Sequence, residues 1–173
     1  MMRLVFDIDG TVRDLNKGLR SRYKNIKGPK IWDWSDDKGQ GVYEYVSKDF
    51  TVLEDAPPTK YVPVIQKWLN GNSIEFWSNQ PDNWKKHTNV WLSKYFKNYK
   101  IEYLTPLEKE YKLLTSEEFI LLFDDYPKFR CYDRIIVVDQ EYNRQADSIL
   151  RLKTTKELEK VLNSHRIYCG DLI

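Results

Sequence analysis

The sequence predicts an α/β fold: a parallel sheet flanked by helices, wound in both directions from its first strand. Three observations predict it. Short, continuous apolar runs recur along the chain, as they do in strands buried on both faces. Stretches with apolar residues at helical spacing lie between those runs. The chain has 173 residues, 41% hydrophobic and 14% aromatic, with only 7 Gly and 7 Pro, which suits one packed core and not a disordered or fibrous chain.

The strands are expected at residues 3–6, 74–77, 101–104, 119–123 and 134–138, each followed by polar loop residues. Tyr61, Val64, Ile65, Trp68 and Leu69 fall on one helical face, as do Trp84, His87, Val90, Trp91 and Tyr95. Asn70-Gly71-Asn72 offers a C-cap to the first of these helices, and Thr155 starts a last helix running to about residue 164. Strands alternating with helices imply right-handed crossovers.

One region breaks the alternation. Residues 16–58 mix basic residues and Gly with the aromatics Tyr23, Trp32, Trp34, Tyr43, Tyr45 and Phe50. Structureless connections beyond about 12–15 residues are uncommon and tend to be functional. The region therefore reads as an inserted cap, helical over residues 41–48, above the carboxyl end of the first strand. There is no internal repeat and no low-complexity tract.

Three clusters carry chemistry. In Phe6-Asp7-Ile8-Asp9-Gly10-Thr11-Val12, two carboxylates one residue apart end an apolar strand, where open α/β sheets bind their ligands. A carboxylate that attacks phosphorus needs a second group to protonate the leaving oxygen and then activate water, and Asp7 and Asp9 supply both roles. Gly10 allows the turn that aims them. In Phe123-Asp124-Asp125-Tyr126-Pro127, adjacent acids at a strand end repel unless a cation lies between them. Mg²⁺ is the natural cation, since it takes oxygen ligands and is commonly held by one or two carboxylates plus substrate phosphate. In Trp77-Ser78-Asn79-Gln80, a hydroxyl and backbone N–H groups at a strand-to-helix junction suit phosphoryl oxygens.

Other chemistries are excluded. Cys131, Cys169, His87 and His165 form no close pairs of the kind that structural zinc needs, and two lone thiols give no disulfide framework, in keeping with a reducing cytoplasm. His87 reads as a packed or partly exposed residue, the two Cys as small core or surface residues, and His165 as a favourable cation at a helix end. The N-terminus meets Asp7 before an apolar leader could form, and no apolar run approaches a membrane span, so a cytoplasmic protein with no membrane association is expected. A net charge of +2, from 28 basic and 26 acidic residues, does not by itself signal a nucleic-acid binder.

In this order the three clusters resemble the haloacid dehalogenase superfamily of aspartate-nucleophile phosphohydrolases. The resemblance implies a Rossmann-like core, residues 1–15 and 57–173, with a small, mainly helical cap, residues 16–56. It implies that Asp7 forms an aspartyl-phosphate, that Asp9 is the general acid and base, and that Ser78 binds the phosphoryl group. It implies that Asp124 holds Mg²⁺ together with Asp7 and the backbone carbonyl of Asp9, supported by Asp125. A catalytic Lys is also implied, and Lys109 and Lys112 are the candidates. Lys112 is favoured, because a short helix over residues 113–118 then separates it from the fourth strand.

Residues 3–143 further resemble the 5′(3′)-deoxyribonucleotidases. The likeness lies in Asp14, in Leu53-Glu54-Asp55-Ala56-Pro57, in Trp91-Leu92-Ser93-Lys94-Tyr95-Phe96, in Asp124 to Pro127, and in a late loop from Asp139 to Asn143. Ser78-Asn79-Gln80 departs from that family's Thr-Ser-Pro, Tyr126 stands where Arg is common, and the cap sequence differs. The expected substrate is a (deoxy)nucleoside monophosphate, bound by Asn79 and by cap aromatics from Trp32, Trp34, Tyr43 and Tyr45, which serve equally as a small cap core. The basic series Lys17, Arg20, Arg22, Lys24, Lys27 and Lys30 offers a nucleic-acid end as an alternative substrate. A non-catalytic binding protein is the other alternative, against which the retained carboxylates argue. The sequence does not set the oligomeric state, a homodimer included.

Overall fold

The computed structural model describes residues 2–24, 26, 35–36, 38–70, 72–129, 132–146, 148 and 150–169, the side chains of 132 and 165–169 excepted. Trp32, Trp34, Lys27, Lys30, Gly71 and Cys131 lie outside the described residues, as do the side chains of His165 and Cys169. Six strands among the described residues form one parallel sheet in the order β3-β2-β1-β4-β5-β6. These are β1 (Met2–Phe6), β2 (Ile74–Ser78), β3 (Tyr99–Tyr103), β4 (Phe119–Asp124), β5 (Ile135–Val138) and β6 (Leu150–Leu152). The five expected strands are present with ends shifted by one or two residues. The sixth, Leu150-Arg151-Leu152, is unanticipated because three residues on a sheet edge make no apolar run.

The seven α-helices among the described residues are α1 (Leu15–Arg22), α2 (Val42–Lys48), α3 (Thr51–Asp55), α4 (Val62–Leu69), α5 (Asp82–Tyr95), α6 (Pro106–Thr115) and α7 (Thr155–Cys169). Alternate residues of each strand face opposite sides of the sheet, so β1 sends Leu4 and Phe6 one way and Val5 the other. On the first side, Ile65 and Leu69 of α4, Trp91 and Leu92 of α5, and Leu158 and Leu162 of α7 close the larger core. On the second, Leu113 of α6 and Phe129 cover Val5, Trp77, Ile120, Leu122, Ile135 and Val137. None of the helices among the described residues is long and apolar enough to cross a membrane.

Between β1 and α4 the chain forms α1, α2 and α3. Leu15, Leu19, Tyr45, Val46, Val52 and Leu53 pack into a cluster of their own, closed from the sheet side by Trp84 of α5. Asp14 caps α1, its side chain accepting from the Lys17 N–H at 2.9 Å. Tyr45 is buried in this cluster, and its hydroxyl donates to Asp36 at 2.7 Å, so it serves the cap core. Asn70 ends α4 in the left-handed conformation with φ 46°.

Strand order 3-2-1-4-5-6 reverses direction between β1 and β4, and ligands bind outside the carboxyl ends of strands at such a switch point. Register brings the acids there. Phe6 pairs with Phe123, their rings stacked at 4.5 Å, which makes Asp7 and Asp124 the next residues on adjacent strands. The Asp7 N–H continues the ladder to the Phe123 carbonyl at 2.8 Å.

Candidate active site

Asp7, Asp124 and Asp125 are all buried, each offering an oxygen within 4.8 Å of the others. The ammonium of Lys109 lies among them, donating to Asp7 Oδ1 at 2.5 Å and to Asp124 Oδ2 at 2.7 Å. The backbone N–H of Tyr126 donates to Asp124 Oδ1 at 2.9 Å, which fixes that carboxylate. Asp125 accepts from the Tyr142 hydroxyl, and its backbone carbonyl accepts from Asn143 Nδ2 at 2.9 Å. The late loop is thus bolted to the acidic turn, and Gln140 Nε2 adds a bond to the Gly10 carbonyl at 2.5 Å.

The expected Lys112 is not part of this cluster. Residues 106–115 form one continuous helix, opened by Thr105 and Glu108 in a reciprocal cap with Pro106 in the first turn. Lys109 and Leu113, one turn apart, share its buried side. Lys112 is directed to the flank, where it pairs with Glu102 of β3 and lies 5.0 Å from the Trp77 ring centre. The short helix expected over residues 113–118 is the tail of α6 followed by a turn.

Burial dominates the electrostatics. It pushes the Asp7 carboxyl up from its ordinary 3.8 to about 8, with Lys109 opposing and the charge of Asp124 adding to the rise. Asp125 is raised well above the carboxylate range, first by burial and then by the charges of Asp124 and Asp7. Burial also raises Tyr142, and the Asp125 charge adds to it. For Lys109, burial favours the neutral amine but is outweighed by Asp124 and Asp7, so its pKa is raised and it stays cationic. One ammonium therefore faces three acids, and burial favours the protonated form of Asp7 and Asp125 unless a further cation offsets their charge.

Gly10 is required where it stands. Its φ is +79°, and a Cβ there would collide with the Asp125 carboxylate and come within 2.7 Å of the Tyr142 hydroxyl. The turn it makes carries Asp9 away from the acidic cluster. Asp9 accepts from Arg13 Nε at 2.7 Å, from Arg13 Nη2 at 2.9 Å and from Gln80 Nε2 at 2.6 Å.

A cavity of about 450 Å³ opens between the cap and the sheet. Asp9, Gly10, Asp125 and Tyr142 line it from the side of the acidic turn, and Asn79, Tyr43 and Trp84 are among its other walls. Tyr43 and Trp84 lie nearly parallel, ring centres 6.0 Å apart. Ser78, 1% exposed, ends β2 at the same side of the sheet. Of the sequence-expected residues, Asp7, Asp124 and Asp125 gather in the acidic cluster, and Asp9, Asn79 and Tyr43 line the adjoining cavity.

Arg13, Gln80, Thr88, Trp84, Gln140 and Tyr142 are the residues that sequence reasoning missed. Lys109, a candidate beside the favoured Lys112, had a clear signal in the Thr105-Pro106-Leu107-Glu108 helix start. His87, expected as packing, pairs through Nδ1 with Glu54 at 2.5 Å across the α3–α5 junction.

No protein-family profile matches the chain, and no curated protein matches it. Among solved structures, a haloacid dehalogenase-like family hydrolase from Xanthomonas campestris is similar, with a TM-score of 0.52 and 9% identity over 96% of this chain and 98% of that one. A HAD hydrolase of family IA, variant 3, from Entamoeba histolytica HM-1:IMSS aligns with a TM-score of 0.45 and 11% identity over 94% of this chain and 100% of that one. The Xanthomonas likeness is one of fold: a Rossmann-like α/β sheet flanked by helices.

Proposed function

We propose that the protein hydrolyses phosphomonoesters through an aspartyl-phosphate on Asp7, with Mg²⁺ as its metal and a (deoxy)nucleoside monophosphate as its substrate. The observation that carries this reading is the gathering of buried Asp7, Asp124 and Asp125 around the single ammonium of Lys109 at the switch point of the sheet. Buried, uncompensated carboxylates are costly, and a cation and a phosphoryl group are what would complete such a site.

The donor set fits Mg²⁺, a hard cation that takes oxygen ligands: Asp7, Asp124 and Asp125 would hold it, with the backbone carbonyl of Asp9. When bound, the metal offsets the acids' charge and polarises the phosphoryl oxygens. In the first half-reaction a carboxylate oxygen of Asp7 attacks phosphorus. The acyl O–P bond forms as the ester P–O bond breaks, and the departing oxygen takes a proton from Asp9. In the second, Asp9 takes a proton from water, whose oxygen attacks phosphorus. The acyl O–P bond then breaks, which restores Asp7 and frees inorganic phosphate. Lys109 offsets charge that accumulates on Asp7 and the phosphoryl oxygens, and Ser78 and Asn79 hold those oxygens.

The cavity supports the substrate class. At about 450 Å³ it suits a nucleoside-sized group, and Tyr43 and Trp84 offer flat walls to a base beside the acidic end. A second reading, a phosphorylated nucleic-acid end, is favoured by Lys17 and Arg20, exposed on α1 near the cavity residue Asn16, and by exposed Lys24 just beyond that helix. The test is a panel of deoxy- and ribonucleoside monophosphates, sugar phosphates and 3′- or 5′-phosphorylated oligonucleotides, with Mg²⁺ and with EDTA. Mg²⁺-dependent release of phosphate from the mononucleotides is expected. Activity confined to oligonucleotides, falling steeply with salt, selects the second reading, and inactivity throughout refutes both.

A further inference from the structure

We infer that Arg13 and Gln80, ordered by the hydroxyl of Thr88, are positioning residues for the Asp9 carboxylate, holding it where it exchanges protons with the leaving oxygen and then with water. The inference rests on the phosphomonoesterase reading above.

Asp9 sits on a turn beyond β1, and its side chain is about one-quarter exposed toward the cavity, at 24%. A carboxylate there has rotamer freedom unless neighbours remove it. Arg13 does so from the same turn. Its backbone N–H bonds the Ile8 carbonyl at 2.8 Å and its carbonyl accepts from Gly10 at 2.8 Å, so the two residues move as one unit. The guanidinium, 0% exposed, grips both Asp9 oxygens as a fork. Two of its three other N–H groups are also engaged: Nη1 reaches the Leu53 carbonyl of α3 at 2.9 Å, and Nη2 also reaches Thr88 Oγ1 at 3.1 Å.

Thr88 gives the network its direction. Because its hydroxyl oxygen accepts from Arg13, its own hydrogen is free to point elsewhere, and it donates to Gln80 Oε1 at 2.7 Å. That bond turns the Gln80 amide so that Nε2 faces Asp9 Oδ2 at 2.6 Å. Without the hydroxyl, the amide can rotate and present its oxygen to the carboxylate. Three buried side chains from the β1 turn, the β2 exit and α5 thus converge on one partly exposed acid. A buried Arg gripping an acid is weak evidence for stability, since apolar residues of the same volume often serve as well. The arrangement therefore points to control of Asp9.

The test compares wild type, Thr88→Val, Thr88→Ser, Gln80→Leu and Asp9→Asn, each checked for folding by thermal melting. Two esters are used in Mg²⁺: a mononucleotide, whose leaving oxygen needs a proton, and 2,4-dinitrophenyl phosphate, whose leaving group does not. Thr88→Val and Gln80→Leu are expected to lower kcat on the mononucleotide about tenfold, with KM within about twofold. On the activated ester the pre-steady-state burst of dinitrophenolate should keep its wild-type rate while later turnover slows, and Thr88→Ser should restore wild-type behaviour. Equal losses on both esters and in the burst, a change confined to KM, or no change overturns the inference alone. No turnover by the wild type on either ester overturns the reading of the site and the inference with it.

Discussion

Replacing Lys109 with Met tests the electrostatic core of the site. Lys109 is 2% exposed, donates to Asp7 at 2.5 Å and to Asp124 at 2.7 Å, and shares its helix side with Leu113. Met keeps much of the stem's length and packing but removes the ammonium. Breaking a buried pair by deleting one partner costs about 3–5 kcal/mol. At about 2–4 °C per kcal/mol for a chain of this size, the melting temperature in EDTA at pH 8 should fall by about 6–20 °C. Mg²⁺ should recover much of that loss, because it supplies positive charge to the same acids. Removing one preorganised charge from a phosphoryl site should lower kcat by about 10²–10³. Lys112→Met is the control. Lys112 and Glu102 are both more than one-third exposed, so their pair contributes about 1 kcal/mol or less, and kcat should stay within about twofold of wild type. Thermal melts with and without Mg²⁺, beside phosphate-release kinetics, read both effects. Loss of turnover in Lys112→Met with turnover retained in Lys109→Met would refute the reasoning.

Burial holds Asp7 near 8 against an ordinary 3.8, so between those values the metal-free folded chain retains a proton that the unfolded chain has released. Stability in EDTA should therefore fall as pH rises from about 4 to about 8, and saturating Mg²⁺ should flatten the slope; a melting temperature that climbs with pH in EDTA contradicts this. Gly10→Ala forces a side chain against Asp125 at a left-handed φ of +79°, and should weaken Mg²⁺ binding and destabilise the fold by about 1–3 kcal/mol, read by metal titration and melting. Tyr43, 50% exposed on the cavity wall, can be truncated to Ala at little cost in stability. If it stacks on a base, KM for nucleotides should rise about tenfold while kcat holds, and KM for a small sugar phosphate should not move.

The strands that form the site's floor were legible because strands buried on both faces must be apolar throughout, as 119–123 and 135–138 are. β6 was not, since Leu150-Arg151-Leu152 owes its place to pairing with β5 and not to its own pattern. The acids were legible because two pairs of carboxylates at strand ends have few purposes other than holding a cation. The placement of Lys109 and Lys112 turned on where one helix begins: Thr105 and Glu108 start α6 early enough to bury Lys109 beside Asp7 and Asp124. Arg13, Gln80 and Thr88 left no such trace. They meet only in three dimensions, and a buried Arg four residues beyond an Asp looks in sequence like any local ion pair.

The most direct measurement is on Asp7 itself. Wild-type protein quenched in acid during turnover of a ³²P-labelled nucleoside monophosphate should carry label that hydroxylamine removes and that maps to Asp7. Asp7→Asn should keep the fold, take up no label and turn over no substrate. Full phosphatase activity in Asp7→Asn, or label on any other residue, would contradict the account.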